Sequence, residues 1–154
     1  MLIYATPSDL AAWTGTAVPA NATQLLRSAS LLVQEATSNA YYDTPPDTSG
    51  GQSSGSYNYY RPDALPSDPA VLAVLNAATC IQAAAWAALG IDPTLAGVVQ
   101  PTVVSQKHIG TASIVYADAA AASAAKALAA TQLVPEAMRV LLQAHLVSTL
   151  VWAW

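Results

Sequence analysis

The stretch from Asp68 to Asp92, DPAVLAVLNAATCIQAAAWAALGID, decides how this 154-residue chain folds. It reads as one helix. Asp68 suits an N-cap, and Pro69 fits the first helical position, where its missing N–H costs nothing. Gly90 stands where a helix stops, just before Asp92-Pro93. No charge lies between the caps. Leu72, Leu75, Thr79, Gln82, Trp86 and Leu89 recur at three- and four-residue steps, with alanine in most other places. A helix apolar nearly all round must be covered nearly all round. Leu75 and Trp86 are the expected core residues here. The fold class that follows is mainly α, a small helical bundle around this segment that packs against copies of itself.

Composition points the same way. The length suits one domain with a single core. Charged residues make up 9% of the chain, against roughly 25% in soluble domains. So few charges suit a subunit whose sides are covered in an assembly. The net charge is −4, and Arg27, Arg61, Lys107, Lys126 and Arg139 are scattered, which argues against a nucleic-acid patch. Cys80 is the only cysteine, so neither an intramolecular disulfide nor a zinc cluster is expected.

The central segment is uncharged for about the length of a membrane span. Alanine is only weakly apolar, however, and Asn76, Thr79 and Gln82 interrupt the run. No Lys or Arg flanks it closely, so no membrane span is expected. Glu136, Arg139 and His145 argue the same for the C-terminal run. The start, MLIYATPSDL, lacks the basic residues and long apolar run of a signal peptide.

Before the central segment, Thr6-Pro7-Ser8-Asp9 opens a short helix that Gly15 closes, with Trp13 expected as a core anchor. Asn21 opens a second helix, expected to end near Ala40. Leu25, Ala29, Leu32 and Ala36 make its apolar face, widened by Leu26 and Val33. Residues 43–66, rich in Pro, Gly, Ser and Asp, read as a flexible loop, too long for an ordinary connection. Tyr57, Tyr59, Tyr60 and Arg61 give its second half an interface-like composition; folding back onto the bundle is the other reading.

After the central segment, residues 103–116 alternate in character, with Ala112, Ile114 and Tyr116 on one face of a strand. They read as a β-hairpin or extended arm, too small to stand alone. Asp118 caps the alanine run AAAASAAKALAA, and Leu133-Val134-Pro135-Glu136 restarts the chain as a last helix. That helix carries Ala137, Leu141, Ala144 and Val147 or Ser148 on one face. Val151-Trp152-Ala153-Trp154 then presents two tryptophans that would be costly to leave in water.

No catalytic motif is present: no phosphate loop, HExxH, CxxC or GxSxG. Cys80, His108 and His145 lack the context of a catalytic set, and a mid-helix cysteine in apolar surroundings is inert. Asp43, Asp47 and Asp63 are too dispersed for a calcium loop. The expectation is no enzyme, no cofactor and no metal.

The order of the pieces carries a resemblance. YATPSDLAAW, ATQLLRSASLLVQEAT, DPAVLAVLNAATCIQAAAWAALGIDP, VVSQKHIGTASIVYA and LVPEAMRVLLQAHL follow one another over most of the chain. This order resembles the head-to-tail connector (adaptor, or head-completion) proteins of tailed double-stranded-DNA phages, especially those of actinobacterial hosts. The most specific parts are Cys80-Ile81-Gln82 with Trp86, and the stretch from Ser105 to Gly110. The 43–66 loop is longer than the resemblance leads one to expect.

The resemblance implies a single adaptor domain over residues 1–154, assembled in the host cytoplasm and located in the neck of the virion. Subunits would form a homo-oligomeric ring, usually a dodecamer, under the portal. The ring would continue the DNA channel, without sequence-specific binding, and offer a platform to the next neck or tail component. Residues 133–154 would form the portal-docking helix and tail, with Leu146, Leu150, Trp152 and Trp154 against the portal protein. The arm, with Lys107, His108, Ile109, Ile114 and Tyr116, would lie on a neighbouring subunit. Another neck component, a stopper or tail terminator, is the alternative, and a small helical ligand-binding domain a further one.

Overall fold

The computed structural model describes residues 2–40, 42–43, 65–95, 106–109, 112–115 and 119–147. The architecture is mainly helical. α1 spans Pro7–Thr14, α2 Ala22–Ala36, α3 Pro69–Leu89, α4 Ala119–Thr131 and α5 Pro135–Gln143. A single 3-10 turn, Pro93–Leu95, follows α3. α3 is the hub: α1, α2, α4 and α5 all pack on it. By length and apolarity alone α3 could cross a membrane, with a mean hydropathy of 1.6 in its most apolar window. In this fold it is the helix the others enclose.

The caps explain where α1 and α3 begin. Thr6 and Asp9 form a reciprocal capping box. The Asp9 N–H donates to Thr6 Oγ1 at 3.3 Å, and the Thr6 N–H donates to Asp9 Oδ2 at 2.7 Å. Asp68 Oδ1 accepts the Ala70 N–H at 2.8 Å at the start of α3. Asn21 precedes α2 but makes no side-chain cap bond.

The ends are equally specific. α3 stops at Gly90, whose φ of 61° is the left-handed conformation glycine adopts freely. The Ile91 N–H reaches back to the Trp86 carbonyl at 2.9 Å, and the Gly90 N–H to that of Ala87 at 3.3 Å. This Schellman closure puts Ile91 in the same buried cluster as Trp86. α5 ends the same way without a glycine. His145 takes φ 56°, its N–H bonds the Leu142 carbonyl, and the Leu146 N–H bonds that of Leu141, both at 3.0 Å.

Two boundaries correct the sequence reading. α2 stops at Ala36 and not near Ala40: Thr37 is its C-cap, and the chain runs on as a turn. The last helix stops at Gln143, so Val147 is not on its face.

The core is two adjoining clusters strung along α3. One gathers Leu10 of α1, Leu25, Leu26 and Ala29 of α2, Ala130 of α4, and Cys80, Ala83 and Trp86 of α3. The other gathers Leu2 and Tyr4, Val33 of α2, Ala137 and Leu141 of α5, and Leu75, Ala78 and Ile81 of α3. Leu25, Leu75 and Trp86 are core residues as expected. Leu32 is only partly buried, packed against the first cluster.

Two expectations fail. Trp13 is not a core anchor; it is 52% exposed. α1 has only two turns, and Leu10 takes its inward position. Leu146 is not free to dock on a partner; the Schellman turn folds it back beside Leu141, leaving it 6% exposed.

Two buried side chains of α3 hold the corner between α4 and α5. Gln82 is fully enclosed. Its Nε2 donates to the Gln132 carbonyl at 3.3 Å, and its Oε1 accepts the Val134 N–H at 2.7 Å. Trp86 Nε1 donates to the Ala129 carbonyl at 2.6 Å. The last carbonyls of a helix lack intrahelical partners, so Trp86 satisfies one of those that end α4. Buried amides must be paired, and this pairing sets where α5 starts.

Residues Gln106–Ile109 and Ala112–Val115 form two short strands, β1 and β2, in antiparallel register. Gln106 stands opposite Val115, and Ile109 opposite Ala112.

Candidate interaction surfaces

Among the described residues, several large apolar side chains are exposed, Trp13 among them. Trp13 stands on the outer side of α1, and its position is fixed from below by polar contacts between α1, α3 and the N-terminal segment. Asn76 of α3 donates from Nδ2 to the Tyr4 carbonyl at 3.0 Å and to Asp9 Oδ2 at 3.1 Å. Ser30 of α2 accepts the Tyr4 N–H on Oγ at 3.2 Å. The N-terminal segment is thereby tied to both α2 and α3. Hydrogen bonds from the Thr6 backbone, the Thr6 hydroxyl and Asn76 outweigh partial burial and hold the Asp9 carboxyl below its ordinary value.

Two open grooves flank Trp13. One, of about 490 Å³, runs between Trp13, Ala17 and Pro19 over Ala84, Ala87 and Ala88 of α3. The other, of about 710 Å³, runs between Trp13 and the start of α5, with Pro135, Glu136 and Arg139 on its far wall. Ala84 and Ala88 floor both. Alanine leaves the α3 backbone shallow there, so an incoming helix could approach closely.

The residues named from the sequence are distributed as follows. Lys107, His108 and Ile109 lie on β1 and Ile114 on β2, where the backbone pairing alone is described. Tyr116, Leu150, Trp152 and Trp154 lie outside the described residues, as does most of the 43–66 loop. Trp13 is the interaction candidate that sequence reasoning misplaced. The available signal was the eight-residue length of α1, which gives room for one inward position after the cap.

Cys80 is buried on α3, and burial, followed by the nearby Asp9 charge, pushes its thiol up to about 11. Its Sγ–H faces Asn76 Oδ1 at 3.8 Å. A thiol that stays protonated at neutral pH is a poor nucleophile. His145 is exposed in its turn at the end of α5. Among the described residues, no three His, Cys, Asp or Glu side chains come together as a metal site.

No family model, no curated protein and no solved structure matches the chain.

Proposed function

We propose that the chain is a structural virion protein, the subunit of a ring that joins the DNA-filled head of a tailed phage to its tail. The observation that carries the reading is an outward surface poor in charge and rich in apolar side chains, with Trp13, Leu89 and Leu128 all exposed. A subunit flanked on both sides by copies of itself needs such a surface. A ring interface is heterologous, so two different faces must match around a closed circle. The order of sequence pieces supplies the specific identity of that ring, a head-to-tail adaptor.

In this reading β1 and β2 belong to an arm that lies on a neighbouring subunit. Leu150, Trp152 and Trp154 dock on the portal, and Leu146 serves the core instead. DNA passes through the channel without base-specific contact; a net charge of −4 repels it weakly. The mainly helical architecture favours an adaptor over a stopper or tail terminator, which are richer in β structure. No step requires a cofactor, a metal or a membrane.

Co-purification with the cognate portal tests this. The full chain is expected to bind the portal. A variant lacking Val151–Trp154 is expected to keep its helical circular dichroism and lose binding. Binding that survives the deletion would reassign the tail, and a full chain that ignores the portal would overturn the adaptor reading.

A further inference from the structure

α5 ends at a joint under strain. His145 has φ 56°, and it is the one residue other than glycine with a positive φ among the described residues. Histidine tolerates the left-handed region better than most side chains, but only glycine enters it freely. Nothing in the local sequence orders a stop there. From Glu136 to Trp154 the chain has no glycine and no proline, the residues that normally end a helix. The bend is held instead by Leu146, which lies 6% exposed in the cluster that includes Leu75, Ala137 and Leu141.

The bend and a continued helix use the same backbone groups. In the bend, the His145 N–H bonds the Leu142 carbonyl and the Leu146 N–H bonds that of Leu141, both at 3.0 Å. In a helix each N–H bonds the carbonyl four residues back, so His145 would bond Leu141 and Leu146 would bond Leu142. Two donors exchange two acceptors, and no hydrogen bond is lost. What changes is the place of Leu146. On a continued helix it stands about 140° around the axis from Leu141, away from the buried stripe of Ala137 and Leu141. In the sequence, Leu150 and Trp154 follow Leu146 at four-residue steps, so a continued helix would carry all three on one outward stripe.

We infer that the joint at His145 is a two-state hinge: closed, with Leu146 in the core, or open, with α5 running on and Leu146 turned outward. The balance is close. Burying one leucine favours the closed form by roughly 10- to 100-fold, and a left-handed residue other than glycine disfavours it by roughly 5- to 30-fold. Val147, Thr149 and Val151 are β-branched and weaken the continued helix slightly, so the free chain rests closed. A partner that grips Leu150 and Trp154 draws the hinge open, and its apparent affinity is lowered by the fraction of chains that are closed. The inference rests on the proposed docking of the tail only for the identity of that partner, the portal; the two states belong to the chain alone. Leu146 serves the core of the free subunit and joins the docking stripe of the bound one.

Two substitutions at one position test it in the full chain. His145→Gly relieves the closed form and penalises the continued helix. His145→Val does the reverse, since a β-branched side chain is a genuine outlier in the left-handed region. The expected result is an inverted order of stability and binding. His145→Gly should raise Tm by about 2 °C and bind the portal at least about fivefold more weakly, whereas His145→Val should lower Tm and bind more tightly. In the free wild type, relaxation dispersion at Ala144–Val147 should show exchange with a minor form of helical chemical shifts, and His145→Gly should abolish that exchange. A flat dispersion profile in the wild type would overturn the hinge. So would His145→Gly binding the portal as well as wild type does. A wild type that ignores the portal overturns the adaptor reading, and the dispersion then decides the hinge alone.

Discussion

Replacing Gln82 with leucine should loosen the corner that carries both α4 and α5. Leucine nearly preserves the buried volume but removes two hydrogen bonds. The Val134 N–H, now 2.7 Å from Gln82 Oε1, would be left half-buried without its acceptor. Such a loss costs about 1–3 kcal/mol. The Gln132 carbonyl bonds Nε2 at 3.3 Å and belongs to an exposed residue. Water can replace that partner, so its loss adds about 0.5 kcal/mol. The extra apolar surface of leucine offsets part of the total. The expected net destabilisation is about 2 kcal/mol, equivalent to a Tm lower by about 4–8 °C for a chain of this length. Urea unfolding followed at 222 nm measures the first quantity. Hydrogen exchange of the peptide containing Val134 measures the cause, and its protection should fall while peptides of α2 keep theirs. A variant within 0.5 kcal/mol of wild type, with the Val134 peptide still protected, would refute the role assigned to Gln82.

Other perturbations separate core from surface. Trp86→Ala should cost about 3–5 kcal/mol in denaturant unfolding, since the indole is buried and also bonds the Ala129 carbonyl; a small loss would mean α3 is not the hub. Trp13→Ala should cost less than about 1 kcal/mol and instead weaken self-association in sedimentation; a large drop in Tm would place Trp13 back in the core. Asp9 contributes through a carboxyl whose folded value lies below its ordinary one. Its contribution is therefore complete above a pH of about 4 and lost as the pH falls through the lower folded value. The stability gap between wild type and Asp9→Ala should be widest near neutrality and close in acid, and a gap independent of pH would remove the charged capping box from the account.

The parts of the fold legible in the sequence are those written in local chemistry. Thr6-Pro7 and Asp68-Pro69 start helices, Gly15 and Gly90 end them, and Leu25, Leu75 and Trp86 lie at helical spacing on inward faces. The parts not legible depend on where the chain goes next. Thr37 looks as helical as its neighbours, yet it is the C-cap where α2 gives way to a turn. His145 gives no hint of a left-handed turn, because helix ends of that kind are usually glycine. That turn is what buries Leu146. Trp13 reads as core from its size, yet size says nothing about which side of a two-turn helix faces the bundle. Gln82 reads as an interruption in an apolar run; its role appears only once the α4–α5 corner arrives beside it.

Cryo-electron microscopy of the phage neck, with this chain traced in the density, tests the central claim most directly. The account predicts a closed ring of this chain beneath the portal, with the residues after Val147 reaching toward the portal. Density that places the chain elsewhere in the tail would contradict the adaptor role, and its absence from the particle would contradict the structural reading altogether.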